Sequence, residues 1–318
     1  MGMRPEEILC LFPEGIRDRW REVAGQAEDL QEIRLRAGMP TAVWIANRES
    51  FVDLQGRIVD RPEKAARSSA DELEELLKHL CRYSVYAFAD EIRQGFLTVQ
   101  GGHRAGLSGQ VILDQDGRIK NMKYIRYLNI RIAHQVRGAA DPVIPRIFED
   151  GHVLSTLLIS PPGGGKTTML RDIIRQVSEG NAYGEGVNVS VVDERSEIAG
   201  SYLGVSQNDV GIRTDILDGC PKVEGMMLLI RSMAPRVLAV DEIGSPEDVR
   251  ALQMASGCGC RLLATIHGGS LEEVRRKNYM RDVIEQGLFE RYVILDRKTG
   301  VCRITGIYDR EGKPCISC

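Results

Sequence analysis

Residues 160–168 read Ser-Pro-Pro-Gly-Gly-Gly-Lys-Thr-Thr. Consecutive glycines let backbone N–H groups turn inward toward oxygen atoms, and a lysine and two hydroxyls follow at once. That order suits a nucleotide phosphate: amides and an ammonium neutralise it, and a hydroxyl reaches a metal ion. The candidate contacts are Ser160, Pro161, Pro162, Gly163, Gly164, Gly165, Lys166, Thr167 and Thr168, with Thr167 also a ligand for Mg²⁺. Further along come Asp193-Glu194, Asp241-Glu242 and His267. Asp241 suits support of the metal through water, and Glu242 suits polarisation of an attacking water. Glu194 is a second candidate for positioning that water. His267 is placed to contact the γ-phosphate or the water and so to sense nucleotide state.

These groups need elements that bring them together. The apolar run at 153–159 predicts a buried strand feeding the loop. Leu170, Ile173, Ile174 and Val177 repeat at helical spacing after it, so a helix should begin at Lys166 and close at Gly180-Asn181. Its unpaired amides and dipole would then face the phosphate. The one departure is Ser160, where such loops usually carry glycine. If that position needs φ > 0, serine costs on the order of 1 kcal/mol. It removes no phosphate ligand, because the cradling amides lie later in the loop.

Further apolar strands are expected at 187–192, 237–240, 262–266 and 291–295, with helical segments between them. Such alternation argues for a mostly parallel sheet covered on both faces. The acids and the histidine then fall at strand carboxyl ends, where open α/β sheets bind ligands. A DE turn can instead cap a helix, but Ser245-Pro-Glu-Asp248 already supplies that cap, so Asp241 and Glu242 are surplus to capping. The last strand should pair with 301–308 as an antiparallel edge hairpin across Lys298-Thr299-Gly300.

The first half reads differently. Strands are expected at 32–36 and 42–46, a helix at 71–82 with Leu73, Leu76, Leu77 and Leu80 on one face, a hairpin turning at Asp116-Gly117, and a strand at 127–133. Two prolines between Arg137 and Pro145 suggest a linker near 137–146. The division is therefore 1–140, a smaller α+β domain, and 147–318, an α/β domain carrying the phosphate loop.

Composition narrows the function classes. The chain has 318 residues and a formal net charge of -3, and its aromatic fraction is 5%, which disfavours base stacking and backbone tracking along nucleic acid. No apolar run approaches the ~20 residues that cross a bilayer. Glu, Pro and Asp interrupt the N-terminal apolar positions, so no signal peptide is read and a cytoplasmic location is expected. Eight cysteines are then reduced thiols. Cys258-Gly-Cys260 and Cys315-Ile-Ser-Cys318 resemble halves of a zinc site, but no third pair completes them. They read as small buried thiols and a frayed tail.

The run 230–243 (IRSMAPRVLAVDEI) resembles the segment before the catalytic glutamate in type II and type IV secretion ATPases, and VVDERSE and ATIHGGS resemble their acidic and histidine boxes. Those enzymes usually carry Gly-Glu where this chain has Asp-Glu. EIRLRAGMP (32–40), YAFADEIRQGFLTVQGGHRAGLSGQ (86–110), NIRIAHQVRGAA (129–140) and PPGGGKTTMLRDIIR (161–175) resemble the stage III sporulation protein AA family across nearly the whole chain. The resemblance implies a RecA-like ATPase using ATP and Mg²⁺. It implies a homo-oligomeric ring, a hexamer by kinship with the secretion motors. The expected place is the mother-cell membrane facing the forespore, with membrane-protein partners in a channel complex. It also implies that the first domain packs over the nucleotide and that an arginine such as Arg104 reaches the phosphates, with Arg131, Arg195 and Arg213 as alternatives. Rival readings are a nucleotide-gated scaffold with negligible hydrolysis and a nucleic-acid-stimulated motor.

Overall fold

A computed structural model describes residues 3–296 and 302–317. The chain divides into two compact units after His134. Residues 137–146, expected as a linker, contribute Ala140, Val143 and Ile144 to the core of the second unit. Pro145 lies in a short 3-10 turn, Ile144–Arg146, whose Ile144 side chain is buried.

The first unit is a seven-stranded sheet made of β1 (Leu30–Arg36), β2 (Ala42–Ile45), β3 (Arg48–Val52), β4 (Ile58–Val59), β5 (Phe96–Val99), β6 (His103–Leu113) and β7 (Ile119–Arg131). Every pairing is antiparallel, in the order β4-β3-β2-β1-β7-β6-β5. Helix α1 (Ala70–Leu80) begins at a capping box in which Ser69 and Glu72 exchange hydrogen bonds, and it buries Leu73, Leu76, Leu77 and Leu80. That is the leucine face the spacing predicts.

The second unit is built on an eight-stranded sheet. Its strands are β8 (Thr156–Ser160), β9 (Val189–Asp193), β10 (Thr214–Asp218), β11 (Val237–Glu242), β12 (Arg261–His267), β13 (Arg291–Asp296), β14 (Arg303–Asp309) and β15 (Pro314–Ser317). The order is β10-β9-β11-β12-β8-β13-β14-β15. The first six run parallel, and the last two add antiparallel pairings. Successive residues of β8 serve opposite faces. Leu157 and Ile159 join the core under helices α3 (Lys222–Met233) and α4 (Pro246–Gly257), while Leu158 joins the core under α2 (Lys166–Glu179). Continuous apolar strands are the consequence of burying both faces of a parallel sheet.

Two features depart from expectation. β10 reads TDILD and is only half-buried as the sheet's outer strand, so its sequence carries no apolar run. The tail from Pro314, expected to fray, pairs with β14 and displaces it from the edge. The turn 298–300 and Cys318 lie outside the described residues.

Candidate nucleotide site at the strand ends

The glycine loop leaves a fully buried strand end. Ser160 pairs with His267 across β8 and β12 and keeps strand geometry, so it carries no left-handed strain. The positive φ values belong to Gly163 (74°) and Gly165 (94°), which glycine adopts without cost. The Ser160 hydroxyl donates to the carbonyl of Pro161 at 3.0 Å. A Cβ on Gly164 would lie 2.2 Å from that hydroxyl oxygen. A side chain at 164 would therefore require the Ser160 hydroxyl to rotate away. Helix α2 begins at Lys166, with Thr167 and Thr168 half-buried in its first turn, so its unpaired amides open onto the loop.

Lys166 is nearly buried, and its Nζ lies 2.5 Å from His267 Nδ1. His267 Nε2 lies 3.1 Å from Glu242 Oε2, and Lys166 Nζ is 3.8 Å from the same oxygen. In one tautomer Nδ1 accepts from the lysine and Nε2–H donates to the carboxylate, with Nε2 also 3.1 Å from Lys166 Nζ. Desolvation by burial pushes the Lys166 pKa down, against the attraction of Glu242. Lys277 donates to the backbone carbonyl of His267 at 2.5 Å and brings a further cation to the array.

A second cluster sits beside the first. Lys222 Nζ lies 2.6 Å from Glu194 Oε2 and 3.4 Å from Asp241 Oδ1. Burial opposes its charge, but the two acids outweigh burial and raise its pKa. Desolvation also raises the Asp241 pKa, and Lys222 pulls it back. The register of β11 against β12 slips between Val240 and Glu242, which leaves Asp241 as a bulge. In a regular strand neighbouring side chains point to opposite faces; a bulge re-aims one of them. Thr265 pins this bulge by donating its hydroxyl to the carbonyl of Asp241.

Asp193 does different work. It is fully buried, and its carboxylate accepts from the backbone N–H groups of Glu197, Ile198 and Ala199 at 2.9, 3.0 and 2.8 Å. Burial pushes its pKa up to about 6 despite those bonds. Arg171 completes the support by donating to the carbonyls of Glu197 and Ile198, both at 2.6 Å.

Among the sequence candidates, Lys166, Glu242 and His267 come together, and Asp241 and Glu194 meet around Lys222. Arg213 donates to the carbonyls of Ser178 and Glu179 behind helix α2, away from these groups. In the first unit the Arg104 guanidinium lies 3.6 Å over the Phe96 ring, and Arg104 is the register partner of Arg131. Cys302 was not signalled by any motif. Its N–H donates to the Gly164 carbonyl at 3.0 Å and its thiol to that of Gly165 at 3.4 Å, so it braces the loop. Lys222 and Lys277 were missed because a lone lysine has no spacing signature.

Cys258 and Cys315 are exposed and Cys260 is buried. Among the described residues no cluster of three or more His, Cys, Asp or Glu could hold a metal by itself. Thr167 and Asp241 nevertheless suit Mg²⁺, a hard ion that takes few protein oxygens and leaves the rest to phosphate and water. The ammonium against Asp241 already marks that carboxylate as a cation-facing position.

The fold is of the RecA-like kind found in secretion ATPases, with a smaller antiparallel-sheet unit in the same chain. The ATPase DotB of Legionella pneumophila superposes with a TM-score of 0.55 over 89% of this chain and 76% of its own, at 17% identity. The ADP-bound pilus retraction motor PilT superposes with a TM-score of 0.53 over 86% and 76%, at 15% identity. The chain itself belongs to the family described as sporulation stage III, protein AA, whose model matches residues 3–315. It is 36% identical over 307 residues to stage III sporulation protein AA of Bacillus subtilis, covering 96% of this chain and 95% of that protein. Among the described residues no helix is long and apolar enough to cross a membrane.

Proposed function

We propose that this protein is an ATPase that energises or assembles a channel complex between mother cell and forespore during endospore formation. The observation that carries the reading is the Lys166–His267–Glu242 array at the carboxyl ends of the sheet, beside a glycine loop that opens a helix. In the bound state Lys166 leaves His267 for the β- and γ-phosphate oxygens. His267 then turns to the γ-phosphate or the attacking water and reports occupancy. Glu242, released from Lys166, orients water for in-line attack. Thr167 and Asp241 would hold Mg²⁺, which would supply charge neutralisation at the phosphates. Positive charge beyond one lysine is needed as the γ-phosphoryl group leaves, and Arg104 of a neighbouring copy in a ring is the candidate. Membrane proteins of the channel complex are the proposed partners at the mother-cell membrane.

Phosphate release from purified protein tests the reading. Lys166→Ala abolishes turnover. Glu242→Gln lowers it by roughly 10²-fold or more while ATP stays bound. Undiminished release in the Glu242 variant removes its assigned role. A nucleotide-gated scaffold is favoured by one feature, since Glu242 is already engaged by His267. Wild-type protein that binds ATP and releases no phosphate above background would select that alternative.

A further inference from the structure

Lys222 breaks a local rule. It is the first residue of helix α3, where the dipole disfavours a cation, and no side chain caps that end. Yet it is only 12% exposed and is held there by Asp241 on β11 and Glu194 just past the end of β9. Its contacts are unequal: 2.6 Å to Glu194 and 3.4 Å to Asp241. The closer partner is the acid whose sequence position also suited water activation. The looser partner is the proposed metal carboxylate.

We propose that Lys222 is a positioning residue that pairs with Asp241 until a nucleotide-bound divalent ion takes that carboxylate, when it withdraws onto Glu194. This rests on Asp241 being the metal's carboxylate. Glu194 then anchors Lys222, and Glu242 alone orients water. The movement required is small, because the Glu194 contact exists already and only the longer contact to Asp241 is surrendered. An ammonium is also suited to the task. It is a compact charge on a flexible stem, able to swing between two oxygens without losing its last partner.

The test is a Mn²⁺ titration of the full chain, read by the electron paramagnetic resonance signal of unbound Mn²⁺, with and without ADP. Wild type binds Mn²⁺ with ADP, and Asp241→Asn weakens that binding at least about tenfold. If wild type binds none, or if Asp241→Asn changes nothing, the metal reading fails and this proposal with it. With that control in place, Lys222→Met tightens Mn²⁺ binding by roughly tenfold and Glu194→Gln weakens it by roughly fivefold. Lys222→Arg keeps a cation and stays within about twofold of wild type, which separates loss of charge from loss of fold. The double variant Lys222→Met/Glu194→Gln decides the mechanism. Without the lysine, Glu194 has nothing to draw away from Asp241, so the double variant binds like Lys222→Met alone. Additive effects, with the double variant only about twofold tighter than wild type, overturn the hand-off and leave Glu194 acting on the metal by its charge alone. Single-variant shifts of the same sign, or both under twofold, overturn the role of Lys222 altogether.

Discussion

His103 and His267 are the same residue type at opposite ends of the range a protein can impose. His103, in the first unit, is fully buried on β6, and its Nδ1 accepts from the N–H of Ala133 at 3.1 Å. Its Nε2 has no partner among the described residues. Burial, with help from nearby His134, holds its pKa down at about 4. His267, in the second unit, is 41% exposed and sits between an ammonium and a carboxylate. One imidazole is part of the packing, and the other can exchange partners. The difference teaches that histidine becomes a candidate functional group through access and through partners with somewhere else to go, not through its type.

The largest effect that sharpens this contrast is the pH dependence of the first unit. His103 has a native pKa of about 4 against 6.5 unfolded, so the unfolded chain binds the extra proton first as pH falls. Its contribution is whole above about pH 6.5 and is lost progressively down to about pH 4, worth about 3 kcal/mol in all. Both tryptophans, Trp20 and Trp44, lie in the first unit, so their fluorescence reports its urea unfolding. His103→Gln, which keeps an acceptor but does not titrate, flattens stability across that window. An unchanged slope would show that His103 is not held neutral by the fold.

Replacing the other histidine has the opposite profile. His267→Ala lowers turnover by roughly 10²-fold, about 2.7 kcal/mol, with stability changed by no more than about 0.5 kcal/mol because the side chain is half-exposed. Phosphate release and a thermal melt on the same preparation check both halves. A melt that falls while turnover holds would make His267 a packing residue like His103.

The smallest effect concerns the loop between them in chemistry. Gly164→Ala drives a methyl against the Ser160 hydroxyl and weakens nucleotide binding by roughly tenfold, since the loop must shift. Ser160→Gly in the same chain restores most of that loss, because the obstructing hydroxyl is gone. Nucleotide titration of the three variants measures the coupling, and additive losses would place the clash elsewhere.

Much of the site was legible because its signals are local. The glycines, Lys166 and Thr167 are contiguous, the helix after them has a clear apolar period, and Asp241 and Glu242 end a buried strand. The cap at Ser245 is likewise a short local signal, and it formed. What escaped has no local signature. β10 has only two apolar residues, Ile216 and Leu217, because it closes the sheet, and Cys302 reaches the loop only after β13 and β14 pair. Arg104 remains a candidate by resemblance.

The sequence by itself determined the alternation of strands and helices, the glycine turn and the order of the acids, because backbone propensity and apolar periodicity act over a few residues. Only the tertiary structure decided which acid each lysine meets. Asp193 turned inward to hold backbone amides, Glu194 outward to Lys222, and a bulge at Asp241 re-aimed a carboxylate. Those outcomes depend on strand register and burial, which bring Lys222 to Glu194, 28 positions away in the chain. Chain neighbours cannot specify them, since the energy of a charge is set by what surrounds it in space.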